Sequence, residues 1–270
     1  MIPYFEWHTV ALGPLTLRVW GFFAALGVVA ASLFAMRQAK RLGFDMARFE
    51  SMILWMVVWS FLGARLLHAV AYEPGYFLSH PADLFKVWQG GLSSFGGFLG
   101  AAASFFWHMR AKPFPLMKTA DVLVTATTLG LGCGRIGCFL IHDHPGTLAY
   151  GAGEWFAVRY PDGARYDLGL LLGVFDFLLF GAFLLLMRKP RADGFFFALF
   201  MLVYGPVRFA LDFLRAIDVR YFGLTPGQYG SIALFAAGCY LMRRIRTGGF
   251  SDESHHGERE IVPEPGRVHP

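Results

Sequence analysis

The sequence predicts an all-α, polytopic membrane protein of seven transmembrane helices, with its N-terminus outside and its C-terminus in the cytoplasm. Three observations predict it. Of 270 residues, 56% are hydrophobic and 16% charged, against roughly 25% charged in soluble domains, so the chain lacks the polar surface to cover a globule. Seven apolar stretches are long enough to cross a hydrocarbon core about 30 Å thick, which takes about 20 helical residues. The Lys and Arg between those stretches fall mostly on one side. This balance excludes an ordinary cytosolic enzyme, a disordered chain and a disulfide-stapled secreted module.

In chain order the expected spans are 16–36, 51–72, 90–109, 121–141, 167–187, 194–214 and 225–242. No soluble domain fits between them, so residues 1–247 form one seven-helix membrane domain. Residues 248–270, rich in Ser, Glu, His, Gly and Pro, read as a disordered cytoplasmic tail. Met1 to Val10 contain no Lys or Arg, so no cleaved signal is expected and the first apolar run serves as an anchor.

The basic residues set the orientation. One side holds Arg37, Lys40, Arg41 and Arg48, then Arg110, Lys112 and Lys118, then Arg188, Lys189 and Arg191, then Arg243, Arg244 and Arg246. The other holds Arg18, Lys86, Arg159, Arg165, Arg215 and Arg220. With 13 against 6, the richer side is cytoplasmic. The net charge of +5 follows from topology, and no nucleic-acid partner is expected. Cys133, Cys138 and Cys239 lie in apolar runs without metal-ligand spacing, and an odd count argues against a disulfide framework. No metal and no organic cofactor is expected.

Arg65, Arg135 and Arg208 remain, each inside an apolar span, where an unpaired charge costs at least a few kcal/mol. Each lies 14 residues beyond the start of a span that runs from inside to outside, or about 21 Å at 1.5 Å per residue. Three guanidiniums at one outward depth suggest an anion site reached from the outer leaflet, because the planar fork of Arg suits phosphate. The competing reading is structural pairing: Arg208 with Asp212 at i, i+4, and Arg65 with a carboxylate such as Asp176. The glycine-dense run Gly90-Gly91-Leu92-Ser93-Ser94-Phe95-Gly96-Gly97 opens the third span. It serves either close helix packing or close approach of backbone amides to a ligand.

Over roughly residues 10 to 245, in collinear order, the chain also resembles the bacterial prolipoprotein diacylglyceryl transferases. Gly63-Ala64-Arg65-Leu66 through Lys86-Val87-Trp88-Gln89-Gly90-Gly91 is similar to that family's second span and following loop. Gly132-Cys133-Gly134-Arg135-Ile136-Gly137-Cys138-Phe139 is similar to its G-R-x-G-N-F signature, with Asp143 and Gly146 at the acidic and glycine places beyond it. Tyr204-Gly205 through Arg208, Asp212 and Arg215 resembles its second arginine helix, and Gly227-Gln228-Tyr229-Gly230-Ser231 its last span.

The resemblance implies transfer of the diacylglyceryl group of phosphatidylglycerol to the lipobox cysteine of prolipoproteins, in a bacterial inner membrane, with the site toward the outer leaflet. A thioether forms and glycerol-1-phosphate leaves. Phosphatidylglycerol, lipobox prolipoproteins and membrane lipids are the implied partners. Such a displacement needs cations for the departing phosphate and help in ionising a thiol of pKa about 8.5. Arg135 and Arg208 match the phosphate-handling arginines, with Arg65 and Arg215 as supporting cations. Gly90, Gly91, Ser93, Ser94, Gly96, Gly97, Gly134, Gly137, Cys138, Gly146 and Asp212 complete the implied substrate site.

The chain also departs from the family pattern. Phe95 stands where the family has the His proposed as base, Cys138 where it has Asn, Trp20 where it has Tyr, and Asp143 where Glu is usual. The common Q-L-Y-E reads Gly169-Leu170-Leu171-Leu172. A phenylalanine takes no proton. Either His142 or His144, flanking Asp143, serves as base, with His68 as a weaker candidate, or the arginine field alone ionises the thiol. The alternatives are a non-catalytic or altered-acceptor lipid- or lipoprotein-binding member and, more remotely, an anion transporter, for which the two halves lack self-similarity. Segment 142–166 is expected to form the outer rim, and Asp121 to cap the cytoplasmic end of its helix.

Overall fold

Each of the seven apolar stretches folds as a helix, since a helix satisfies its backbone hydrogen bonds internally and leaves only side chains to face lipid. The computed structural model describes residues 1–13, 15–71, 73–85, 91, 93–111, 114–216 and 220–248. In chain order the long helices are α1 (Val19–Arg41), α2 (Met46–Ala71), α4 (Ser94–Ala111), α5 (Leu116–Ile141), α6 (Leu168–Leu186), α7 (Phe195–Asp212) and α8 (Pro226–Arg246). A six-residue helix, α3 (Pro74–Ser79), follows α2. Among the described residues, α1, α2, α5, α6 and α7 are long and apolar enough to cross a membrane. Of the expected tail, all but Gly248 lies outside the described residues.

The expectation of an all-α chain needs one correction. Among the described residues six short strands form, β1 (Ile2–Pro3), β2 (Thr9–Leu12), β3 (Leu15–Arg18), β4 (Pro145–Leu148), β5 (Ala157–Tyr160) and β6 (Gly163–Asp167). β2 and β3 make a hairpin, and the other four make a sheet in the order β1-β5-β6-β4, in which only β1 and β5 run parallel. The polar connection between α5 and α6 is interrupted by Gly and Pro, which break a long helix. Pro161-Asp162 joins β5 to β6 as a tight turn, with Tyr160 opposite Gly163. The Arg165 guanidinium clasps Asp162 and holds its carboxyl below the usual range.

The chain divides into two compact units, Val28–Thr119 and the remainder. In the first, α2 and α4 cross at backbone contact. A Cβ on Gly63 would fall on the Gly96 carbonyl, one on Gly96 on the Gly63 carbonyl, and one on Gly100 on the Trp59 carbonyl. Phe44, Phe49 and Phe114 pack ring on ring beside them.

In the other unit α7 and α8 approach through Gly205, whose Cβ would meet the Ser231 carbonyl at 3.0 Å, and Gly238, against Met201 at 2.8 Å. Val124, Leu179, Phe183 and Phe196 form a buried core at one end. Asp121 does not cap its own helix, as the sequence suggested. Its two carboxylate oxygens accept from Gly194 N and Phe197 N, each at 2.8 Å, and so cap α7. Gly194 sits at φ 88 as the N-cap and has no side chain for the task.

Asp121→Ala is therefore expected to lower stability by about 1–2 kcal/mol, the value of a lost N-cap. It should read as a lower thermal midpoint in detergent that Asp121→Asn partly restores. An unchanged midpoint would mean that the cap contributes nothing.

Candidate active site

The three intramembrane arginines find three different environments. Arg65, 5% exposed, turns its guanidinium to main-chain carbonyls: Nη2 to Asp83 O at 2.6 Å, Nε to Leu84 O at 3.2 Å and Nη1 to Gly91 O at 3.2 Å. Its face lies 4.9 Å from the Phe77 ring. It thereby fixes the chain entering α4. Gly91 takes φ +70, and a Cβ there would strike His68 and the Arg65 Nη1. Ser93 is buried, with its N–H on Ala64 O at 3.0 Å. Gly96 packs against α2 as above, and a Cβ on Gly97 would meet Ser60 Oγ at 3.2 Å, so these two glycines serve helix packing. Gly90 and the Ser94 and Phe95 side chains lie outside the described residues.

Arg208 and Asp212, one turn apart on α7, pair at 3.1 Å as their spacing predicts. Asp212 is fully buried, accepts the Thr225 hydroxyl at its other oxygen and lies 3.8 Å from Arg215 Nε. Thr225 and Gln228 form the capping box of α8, and Gln228 reaches back to Phe209 O at 3.2 Å. The start of α8 thus locks the counter-ion of Arg208. A Cβ on Gly227 would come within 2.8 Å of Asp212 Oδ2, so only glycine fits beneath the pair.

Arg135, on α5, faces Tyr204 of α7, Asp176 of α6 and its own neighbour Cys138. Gly173 makes room for it, since a Cβ there would press on Arg135 Cβ at 3.1 Å. Asp176 is completely buried, and neither of its oxygens accepts a hydrogen bond from any described residue. Arg135 and Arg208 are the cations that face it. The sequence reading considered Asp176 only as a partner for Arg65. A sharper signal was available, because Asp176 is the one charged residue in Leu168–Leu186 and intramembrane carboxylates mark functional positions.

The two histidines expected to act as bases differ in setting. His142, 6% exposed, occupies the left-handed position that ends α5, at φ 48. Its Nδ1 lies 2.6 Å from Asp167 Oδ2, its ring stacks on Tyr4 at 4.7 Å, and Phe5 and Phe139 close around it. Asp167 also accepts from Tyr160 OH at 2.8 Å and caps α6 through Leu170 N at 2.9 Å. Burial, then Asp167, push the ionisation of Tyr160 up, so its hydroxyl remains a donor. His142 braces the sheet against two helix ends.

His144 is half-buried, with Nδ1 2.5 Å from Asp143 Oδ1. With Pro145 and Arg215 these two residues line a cavity of about 240 Å³. Arg165 Nη1 on Gly146 O at 2.9 Å and Thr147 N on Leu214 O at 2.7 Å hold the strand beside it. Gly146 is pinned, since a Cβ would strike Tyr166 O and Leu214 O. A Cβ on Gly137 would touch Trp20, whereas one on Gly134 would meet open space. Sequence spacing shows no metal constellation, yet the turn after α5 brings donor atoms of Cys138, Asp143 and His144 within 4.8 Å of one another. Arg135 faces Cys138 and Arg215 lines the same cavity, so a cation there would meet two guanidiniums.

Comparison with known proteins bears on this arrangement. The family model for prolipoprotein diacylglyceryl transferase matches residues 8–244. The phosphatidylglycerol–prolipoprotein diacylglyceryl transferase of Nitrosomonas europaea is 30% identical over 253 residues, covering 89% of this chain and 90% of the relative. Proteins of the same name from Burkholderia mallei and Burkholderia pseudomallei are 28% identical over 296 residues, covering 93% of this chain and 99% of theirs. With its signature arginine on α5, its second arginine on α7 and a match over most of its length, this multi-pass membrane protein belongs to the prolipoprotein diacylglyceryl transferase family.

Proposed function

We propose that this chain transfers the diacylglyceryl group from phosphatidylglycerol to the lipobox cysteine thiol of prolipoproteins, forming a thioether and releasing glycerol-1-phosphate. The observation that carries the reading is the guanidinium pair Arg135 and Arg208, on α5 and α7, both within electrostatic reach of one buried carboxylate. A phosphodiester entering between them meets two bidentate donors in a low-dielectric setting, where charge stabilisation is strongest. As the C–O bond breaks, the second negative charge of the phosphate develops against the same pair. Tyr204 lies against Arg135 and Asp212 pairs with Arg208, so both guanidiniums are oriented before the lipid arrives. The names of the relatives agree with these substrates.

The protein sits in this reading in the bacterial inner membrane. It crosses seven times, with α4 and α8 as the remaining spans, the N-terminus outside and the C-terminus cytoplasmic. The arginine pair then opens toward the outer leaflet, and the sheet segment forms the rim. Asp143, His144 and Arg215, at the cavity, receive the acceptor peptide, with Asp143 orienting the His144 ring. Arg65 acts through the chain it anchors.

Arg135→Ala and Arg208→Ala are each expected to cut diacylglyceryl transfer to a lipobox peptide by about 10²- to 10³-fold. The product is followed by mass spectrometry, and the variants should remain folded in the membrane. Lys at either position should recover only part, because it lacks the bidentate fork. Near-parent transfer in Arg135→Ala would overturn the assignment. His144→Ala should raise KM for the peptide by about tenfold with KM for the lipid unchanged, as expected for a group that binds only the acceptor. A lower kcat at constant KM would move His144 into the chemistry.

A further inference from the structure

We propose that Asp176, on α6, accepts the proton of the incoming thiol. The proposal rests on the transferase reading above and names the base that reading lacks. Four observations converge on this residue. It is fully buried in a helix that carries no other charge. Neither carboxylate oxygen receives a hydrogen bond from any described residue. Arg135 from α5 and Arg208 from α7 face it, and Tyr204 of α7 lies beside it. The other buried carboxylates are held by neighbours: Asp212 by Arg208 and the Thr225 hydroxyl, and Asp167 by His142, Tyr160 and Leu170 N.

A carboxylate left without donors inside an apolar helix is costly, and such groups concentrate where chemistry uses them. Here the use follows from charge. With phosphatidylglycerol bound, Arg135 and Arg208 face two negative charges, one on the phosphodiester and one on Asp176. In the reaction the S–H proton passes to a carboxylate oxygen of Asp176, and the sulfur forms its bond to the glycerol carbon. The C–O bond to phosphate breaks, with its electron pair staying on the phosphate oxygen. The leaving group is now a dianion and Asp176 is neutral, so the guanidiniums still face two negative charges. A base elsewhere would leave three. The arginine pair also eases ionisation of a thiol brought beside it. When glycerol-1-phosphate leaves, the carboxylic acid releases its proton and the pair is balanced again.

Phe95 stands where a histidine base is expected, and the first turn of α6 has lost its carboxylate. Asp176 supplies an acidic group further along the same helix.

The test compares two acceptor peptides, identical except that one carries the lipobox cysteine and the other selenocysteine, whose selenol ionises near neutral pH without a base. Membranes containing the parent or Asp176→Asn are given phosphatidylglycerol and each peptide. Asp176→Asn is expected to lose about 10²-fold or more with the thiol, the span of a lost general base, and to recover most of that loss with the selenol. Lipid binding by the variant should be unchanged or tighter. Thiol transfer at the parent rate, or an equal loss with both peptides in folded protein, would overturn the proposal.

The parent supplies a second test that does not depend on the folding of the variant. Its thiol rate should fall as pH drops through the titration of a single carboxyl, faced by Arg135, Arg208 and Tyr204, and its selenol rate should instead follow only the ionisation of the free selenol peptide, measured separately. The same fall with both peptides would also overturn it. If the parent makes no product with either peptide, the transferase reading fails and this inference with it. If the parent is active and Asp176→Asn is unimpaired, only the inference fails.

Discussion

A charge inside an apolar helix must be answered within the protein, and most of this fold's unusual features follow from answering three of them. Arg65 is answered by peptide dipoles: three carbonyls of the chain between α3 and α4 converge on one guanidinium. That solution goes with Gly91 in a left-handed conformation, where a Cβ would strike the Arg65 Nη1. Arg208 is answered by a full charge one turn away. Asp212 is in turn held by the Thr225 cap, so the α7–α8 connection is dictated by the needs of an ion pair. Arg135 has the least settled answer, a phenol, a thiol and a carboxylate with both oxygens uncommitted. Among the described carboxylates near these arginines, Asp176 has neither oxygen in a hydrogen bond.

The glycines fall into two groups when seen this way. Those at 63, 96, 100, 205 and 238 bring backbones into contact, and a side chain at any of them would collide with a neighbouring helix. In a bilayer, where lipid tails are as apolar as the side chains, such close packing is the main source of helix association. Gly91, Gly173 and Gly227 instead lie against an intramembrane arginine or its counter-ion, Gly173 against the Cβ of Arg135. They are small because Arg65, Arg135 and the Arg208–Asp212 pair need the space. The glycine-dense opening of α4 mixes both kinds, which is why its sequence supported two readings equally.

Much of the helical frame was legible because a single property, twenty apolar residues in a row, encodes it. The Arg208–Asp212 pair was legible for the same reason, since i, i+4 spacing needs no knowledge of tertiary structure. The sheet was less visible: its strands are four or five residues long at most and are paired through α5 and α6 ends that come together only on folding. The Pro161-Asp162-Gly163 turn was its one local signal. Asp121 shows the limit most clearly. It lies near the start of α5, but the N-cap whose N–H it accepts, Gly194, comes 73 residues later. His142 and His144 are near neighbours in sequence, yet the turn between them sends one into an aromatic brace and the other to a cavity wall. Sequence adjacency could not separate those fates.

The departures from the family pattern bear on the chemistry through the same rule. A member that only bound lipid would need cations for the phosphate, but an unsatisfied carboxylate near them has no use there, since in the proposed reading Asp176 would compete with the phosphodiester for both arginines. That competition weakens binding of the ground state. It becomes an advantage only when the bound group gains a second negative charge, because a carboxylate that has taken up a proton no longer opposes it. An interaction unfavourable with substrate and relieved along the reaction lowers the barrier rather than KM. In the proposed reaction the burial of Asp176 near Arg135, Arg208 and Tyr204 would serve turnover, and it would give a reason for one charge in a helix of nineteen residues.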